Sequence, residues 1–205
     1  PMLTKVVELC NERNIIFSMR VSIDGVNEMH GSVRNVRNAF EKAGKTIAAM
    51  QALQKTHRFN FGISSTIFSK NLEDADNILA WAKKEKLDIV FNMVRFTDAM
   101  LGNSELEAGM KPMGAEEQTM RKFFLDRVRQ DPLLDGQNYI YMHYADMIAN
   151  GYHRTAPCPF QTQGVMLNPN GDMFFCENSD VVGNVTQEDP HAIYFREAAQ
   201  THRKH

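Results

Sequence analysis

Two cysteines, Cys158 and Cys176, stand in the pattern Cys-x12-Gly-x4-Cys, with Asn168-Pro169-Asn170-Gly171-Asp172 between them. A thiolate is a soft ligand, suited to zinc, copper(I) or an iron–sulfur cluster. The β-prone runs Gly164-Val165-Met166-Leu167 and Met173-Phe174-Phe175 flank a segment rich in turn formers. This predicts a hairpin with Cys158 before it and Cys176 on its return strand. Two thiols are half of a thiolate site, and the third cysteine of the chain, Cys10, lies far upstream in a helical pattern, where it reads as a buried structural thiol. The expectation is a piece of a larger protein whose remaining ligands lie beyond His205.

A second set of chemistry-bearing side chains sits where predicted strands end: Ser22 and Asp24, Asn71, and Arg95, with His30 and Arg34 shortly after the first. The elements that must position them alternate. A β-rich run, Ile15 to Ile23, stops at Asp24-Gly25. A helix is predicted from about Val36 to Gln54, with Phe40, Ala43, Ile47, Met50 and Leu53 on one face. A second strand reads Phe59 to Ile67, and Asn71 then stands where a helix N-cap belongs, with Asp74 three residues on. Leu72, Ala75, Ile78, Leu79 and Ala82 form the stripe of that helix, and Ile89 to Val94 is a third strand. Strand, helix, strand, helix, strand at this spacing implies parallel strands with helical crossovers. Two further helices, about Ala115 to Arg129 and Asn138 to Ala149, precede the cysteine hairpin, and a terminal helix runs from about Ala192 to His202.

Composition excludes several classes. The 205 residues carry a net charge of −2 and 23% charged side chains, with neither a basic nucleic-acid footprint nor a polybasic membrane patch. No apolar run reaches the roughly 18 to 20 residues that span a bilayer. Three cysteines argue against a disulfide scaffold and for a reducing, cytoplasmic location.

Val21-Ser22-Ile23-Asp24-Gly25, followed by His30, Arg34, Ala39 and Phe40, resembles the fourth-strand segment of radical S-adenosylmethionine enzymes. That family has Ser-hydrophobic-Asp-Gly, then His-Asp-x-x-Arg-Gly; here Gly31 replaces the Asp and Asn35 the Gly. The hairpin is similar to the opening of the auxiliary-cluster module called SPASM, or its shorter relative twitch, with Gly183-Asn184-Val185 resembling the module's downstream Gly-Asn-hydrophobic. The resemblance implies an α/β fold, the carboxyl-terminal part of a partial TIM-like (β/α)6 barrel with parallel strands, plus a small SPASM/twitch segment. It divides the chain into a half-barrel over residues 1–98, a loop and helical connector over 99–155, and a truncated SPASM/twitch segment over 156–205.

The same resemblance implies a parent enzyme that cleaves S-adenosylmethionine reductively and abstracts hydrogen from a peptide, protein or small molecule. Ser22, Asp24 and Arg34 would contact the cofactor, and Cys158 and Cys176 would ligate an auxiliary 4Fe-4S cluster. Asp24 reads equally as a turn residue, and His30 as a group that orders the loop or contacts cofactor, or as a surface histidine. The family's Cys-x3-Cys-x2-Cys motif for the catalytic cluster is absent from these residues. The expectation is therefore that this chain alone is inactive and holds no metal or an adventitious one. A Cys158–Cys176 disulfide, or a zinc site completed by His202 and His205, stays open. The rival reading is a non-enzymatic metal- or partner-binding protein that reuses the fold. The uncovered surface of a half-barrel implies self-association.

Overall fold

The computed structural model describes residues 2–96, 102–130, 137–156, 164–176 and 179–204. In chain order it contains α1 (Met2–Glu12), β1 (Ser18–Ser22), α2 (Glu28–Arg34), α3 (Ala39–Gln54), β2 (Asn60–Ile67), a 3-10 turn (Ser69–Asp74), α4 (Ala75–Lys84) and β3 (Asp88–Met93). There follow α5 (Glu107–Met110), α6 (Ala115–Gln130), α7 (Asn138–Ala149), β4 (Met166–Leu167), β5 (Asp172–Phe174), β6 (Gly183–Asn184), α8 (Pro190–Phe195) and α9 (Glu197–Lys204). These form two compact units: Pro1–Val94 with Met110–Tyr144, and Arg95–Gly109 with Ala145–His205.

In the first unit, β1, β2 and β3 pair in that order and all in parallel, as the alternation of strand and helix patterns predicts. The fold is mixed α/β, and the sheet is open rather than closed into a barrel. Alternation along the strands splits it into two unlike faces. One carries Ile63, Ile67, Ile89, Phe91 and Met93, all buried. The other carries Arg20 and Ser22 of β1, Gly62, Ser64 and Thr66 of β2, and Asp88 and Asn92 of β3, aligned by the register Arg20↔Gly62↔Asp88, Ser22↔Ser64 and Thr66↔Asn92. Fully burying an aliphatic or aromatic side chain contributes about 1.5–3 kcal/mol, so the apolar face holds the sheet to its helices.

The predicted stripe Leu72, Ala75, Ile78, Leu79 and Ala82 is buried throughout. On α6, Met120, Phe123, Phe124 and Arg127 form one buried face at spacings of three and four. Phe123 meets Phe91 edge-on with ring centroids 4.9 Å apart. The Arg127 guanidinium lies 4.9 Å from the Phe123 ring centroid and reaches Asp76 at 3.4 Å, joining α6 to α4.

Three local expectations need correction. The helix predicted from Val36 begins at Ala39, because Asn35 and Asn38 adopt left-handed backbone, and a separate helix, α2, precedes it. The N-cap of α4 is Asp74 rather than Asn71, which lies inside the 3-10 turn and is completely buried. Cys10 lies on α1 but is only half-buried.

In the second unit, β4, β5 and β6 form an antiparallel meander, with the hairpin where the turn residues place it. The terminal helix is broken: Arg196 is extended, at φ −62° and ψ 146°, and separates α8 from α9. Among the described residues no helix is long and apolar enough to cross a membrane.

Candidate functional site

The carboxyl-terminal ends of parallel strands are where α/β folds collect functional groups, because the loops that leave the sheet converge there. At this rim β1 and β2 diverge, and the side chains of Asp24 and Asn71 fill the gap. Ile23 N–H still reaches Ser64 O at 2.8 Å, the last main-chain rung of the pair. One step on, Thr66 N–H finds no β1 carbonyl and donates instead to Asp24 Oδ1 at 2.8 Å. The Asn71 amide donates to two carbonyls left over by the divergence, Asp24 O at 3.0 Å and Thr66 O at 2.8 Å. Its own Oδ1 accepts the Phe68 N–H at 2.9 Å. Buried backbone groups must be satisfied somewhere, and two side chains do so here.

The loop from β1 into α2 is held from both sides. Val26 N–H donates to Asp74 Oδ2 at 2.6 Å, and Asp24 N–H donates to His30 Nδ1 at 3.1 Å. Gly25 is needed because α2 passes so close: a Cβ there would lie 2.7 Å from His30 N and 2.8 Å from Met29 C. The buried His30 ring stands edge-on to Phe40 at 6.4 Å. Burial pushes the His30 imidazole below its ordinary value of 6.5; the Asp24 carboxylate opposes this and the Arg34 guanidinium adds to it.

Arg34, the last residue of α2, forms an ion pair with Asp24, Nη2 to Oδ2 at 2.5 Å. The two ends differ sharply in exposure, 44% for the Arg34 side chain and 6% for that of Asp24. Ser22 is exposed on the polar sheet face two positions before Asp24, and its hydroxyl has no hydrogen-bond partner among the described residues. The structure thus joins Asp24 to Arg34 directly and gives Ser22 a hydrogen bond to neither. Asn71, Asp74 and His30, which spacing marked as a cap, a helix-start carboxylate and a loop or surface histidine, are the groups that hold this rim together.

An exposed hydroxyl and a half-exposed guanidinium suit a ligand with a carboxylate, since Arg can present paired donors to both oxygens. They fit the amino-acid end of S-adenosylmethionine. An iron–sulfur cluster is not matched in the same way. Cys176 is half-buried at a tight turn, where Ser179 Oγ accepts the Cys176 N–H at 3.1 Å and donates to Cys176 O at 3.0 Å. Cys158 lies outside the described residues, as does the Cys158–Cys176 pairing. Among the described residues no three His, Cys, Asp or Glu side chains group as metal ligands.

The fold is an open, parallel α/β sheet with helical crossovers. The particular resemblance is to solved structures of native anSMEcpe with bound AdoMet (TM-score 0.60, 12% identity) and of the same protein with AdoMet and the Cp18Cys peptide (TM-score 0.58, 12% identity). Each match covers 98% of this chain and 56% of that one, so the chain spans little more than half the length of these structures. No family model matches the sequence, and no curated protein does.

Proposed function

We propose that the chain is the carboxyl-terminal part of a radical S-adenosylmethionine enzyme, and that Ser22 and Arg34 bind the amino-acid end of S-adenosylmethionine. The observation that carries this reading is Arg34, held by an ion pair with Asp24 at the carboxyl end of β1 with more than a third of its side chain exposed. The likeness to AdoMet-bound structures over 98% of the chain supports it. S-adenosylmethionine, when cleaved reductively, supplies the species that abstracts hydrogen from a peptide, protein or small-molecule substrate. The role proposed for Ser22, Asp24 and Arg34 is binding and orientation. Arg34 fixes the carboxylate, Ser22 offers a hydroxyl, and Asp24 orients Arg34.

In this reading residues 1–98 form the half-barrel, 99–155 connect, and 156–205 begin an auxiliary module in which Cys158 and Cys176 ligate iron. The outer edge of β1, which pairs only with β2 among the described residues, is covered by another part of the protein or by a second copy. A reducing cytoplasm is the compartment this chemistry requires.

Calorimetric titration of the chain with S-adenosylmethionine tests the proposal. Saturable binding that is lost in Arg34→Gln and weakened in Ser22→Ala supports it. Absence of binding, or binding indifferent to both substitutions, refutes it.

A further inference from the structure

Asp24 and Arg34 are both polar, adjacent and close to Ser22, and the proposed function alone does not say which of them meets a ligand. Their surroundings do. Every polar atom of Asp24 is engaged: Oδ1 accepts Thr66 N–H, Oδ2 is paired with Arg34, the backbone N–H donates to His30 Nδ1 and the carbonyl accepts from Asn71 Nδ2. The residue as a whole is 4% exposed. A carboxylate so committed has neither the approach nor the free geometry to hold a ligand hydroxyl. Arg34 is the opposite case. A guanidinium has five N–H donors in a rigid fork; Asp24 faces one nitrogen, and Nε and Nη1 have no hydrogen-bond partner among the described residues.

The surrounding lattice makes the arrangement rigid. Asn71, completely buried, ties Asp24 to the end of β2, while His30 and Asp74 fix the loop that carries α2 and therefore Arg34. A half-exposed arginine on a seven-residue helix would otherwise sample many rotamers, and holding it costs entropy that a pre-formed ion pair removes before the ligand arrives.

We propose that Asp24 is a positioning residue, which acts on ligand only through Arg34, and that Asn71 is the buried bracket that fixes Asp24. The inference rests on the reading of this rim as an S-adenosylmethionine site and changes its assignment: the ligand-facing groups are Ser22 and Arg34, and Asp24 is withdrawn from the contact surface. Arg34 meets the carboxylate edge of the ligand, and Asp24 sets the plane in which it does so.

The test uses the 205-residue chain and two nucleoside probes: S-adenosylhomocysteine, which carries an amino-acid carboxylate, and methylthioadenosine, which lacks it. The second readout is the Arg34 Nη2–Hη2 signal in ¹⁵N NMR spectra, because Nη2 is the nitrogen paired with Asp24. In the unaltered chain we expect a slowly exchanging Arg34 signal and about a tenfold preference for the carboxylate-bearing probe, the factor that one charge-assisted hydrogen bond supplies. In Asp24→Asn the Arg34 signal is lost to solvent exchange and the preference falls towards one, with methylthioadenosine affinity retained. Arg34→Lys keeps part of the preference because the charge remains, and serves as the second variant where Asp24→Asn lowers stability. A purely structural Asp24 would weaken both probes by the same factor, and that result overturns the proposal. So does an Arg34 signal and a preference untouched by Asp24→Asn. If neither probe binds the unaltered chain, the functional reading fails; the positioning claim is then decided by the signal alone, its loss in Asp24→Asn supporting it and its persistence overturning it.

Discussion

The Tyr141 hydroxyl accepts the backbone N–H of Phe91 at 3.0 Å and donates to Gln137 Oε1 at 2.6 Å. Phe91 lies on β3, the outer strand of the parallel sheet on the side away from β1, so its amide points where no further strand follows among the described residues. Helix α7 supplies the missing acceptor through a side chain that is completely buried. Tyr141→Phe keeps the ring packing against Phe124 and removes only this bridge. We expect a loss of about 1–3 kcal/mol in denaturant unfolding, the cost of leaving a buried donor unsatisfied. The same burial pushes the Tyr141 phenol up to about 12 from 10.0. Because the folded value lies above the unfolded one, the associated stability is complete below pH 10 and declines as pH rises towards 12. Ultraviolet titration should show a tyrosine ionisation near pH 12, and its absence in Tyr141→Phe makes the assignment.

Gly62 is the close-approach position of the polar sheet face. Arg20 crosses it to pair with Asp88 at 2.5 Å and to donate to Ile63 O at 3.0 Å. A Cβ on residue 62 would lie 2.6 Å from Asp88 O and 3.0 Å from Arg20 Nη1. The first of these is backbone and has little room to yield. Gly62→Ala should therefore destabilise by about 1–3 kcal/mol through strain at the strand pairing. Thermal unfolding measures this, and a melting temperature equal to that of the unaltered chain would contradict the packing described.

His30 gives the rim a dependence on acid. Its Nδ1 is an acceptor for Asp24 N–H, a role open only to the neutral ring, and burial holds its ionisation below 6.5. The folded value is the lower one, so this contribution to stability is present above pH 6.5 and is lost as pH falls through the folded value. The charged neighbours are the Asp24 carboxylate, which favours the imidazolium, and the Arg34 guanidinium, which opposes it. Following the His30 Hε1 resonance with pH should give a midpoint below that of an unstructured histidine; a midpoint at or above it would show that burial does not outweigh the Asp24 carboxylate.

In the second unit, Asp172 accepts Asn168 Nδ2 at 2.9 Å and Asn184 Nδ2 at 2.8 Å, joining the hairpin turn to β6. The Asn168 hydrogen bond, followed by that from Asn184, holds the Asp172 carboxyl below its usual 3.8. Its contribution is present above pH 3.8 and disappears as pH falls through the lowered value. Asp172→Ala should speed amide exchange at Val182, whose N–H bonds Met173 O at 2.8 Å, and leave β2 unaffected. Equal exchange in both proteins would separate the carboxylate from the fold of the meander.

The sequence and the structure agree where the information is local and diverge where it is not. The strands are legible because apolar runs end at recognisable turn residues, and α4 because Ala75, Ile78, Leu79 and Ala82 recur at helical spacing. Helix α2 escapes a periodicity reading because it has only seven residues and follows directly on the Asp24-Gly25 turn. Asn71 looks like a cap because Asn before an apolar stripe commonly is one; its partners are instead Asp24 and Thr66, one of them 47 residues away. Tyr141 lies 50 residues from Phe91, and nothing in either neighbourhood announces the other. Ser22, Asp24 and Arg34 are legible as a motif, yet the division of labour between the last two depends on burial that only the folded sheet creates.

The bonds that build the rim run across sequence separations of 42 for Thr66 to Asp24, 47 for Asn71 to Asp24 and 48 for Val26 to Asp74. None of these three forms within a single helix or hairpin, so the rim is complete only where β1 and β2 are docked. A molecule that grips Arg34 must then select the native state and shield the whole sheet from unfolding by mass action. Protease resistance measured elsewhere in the first unit would report occupancy at this rim as faithfully as any signal from the rim itself.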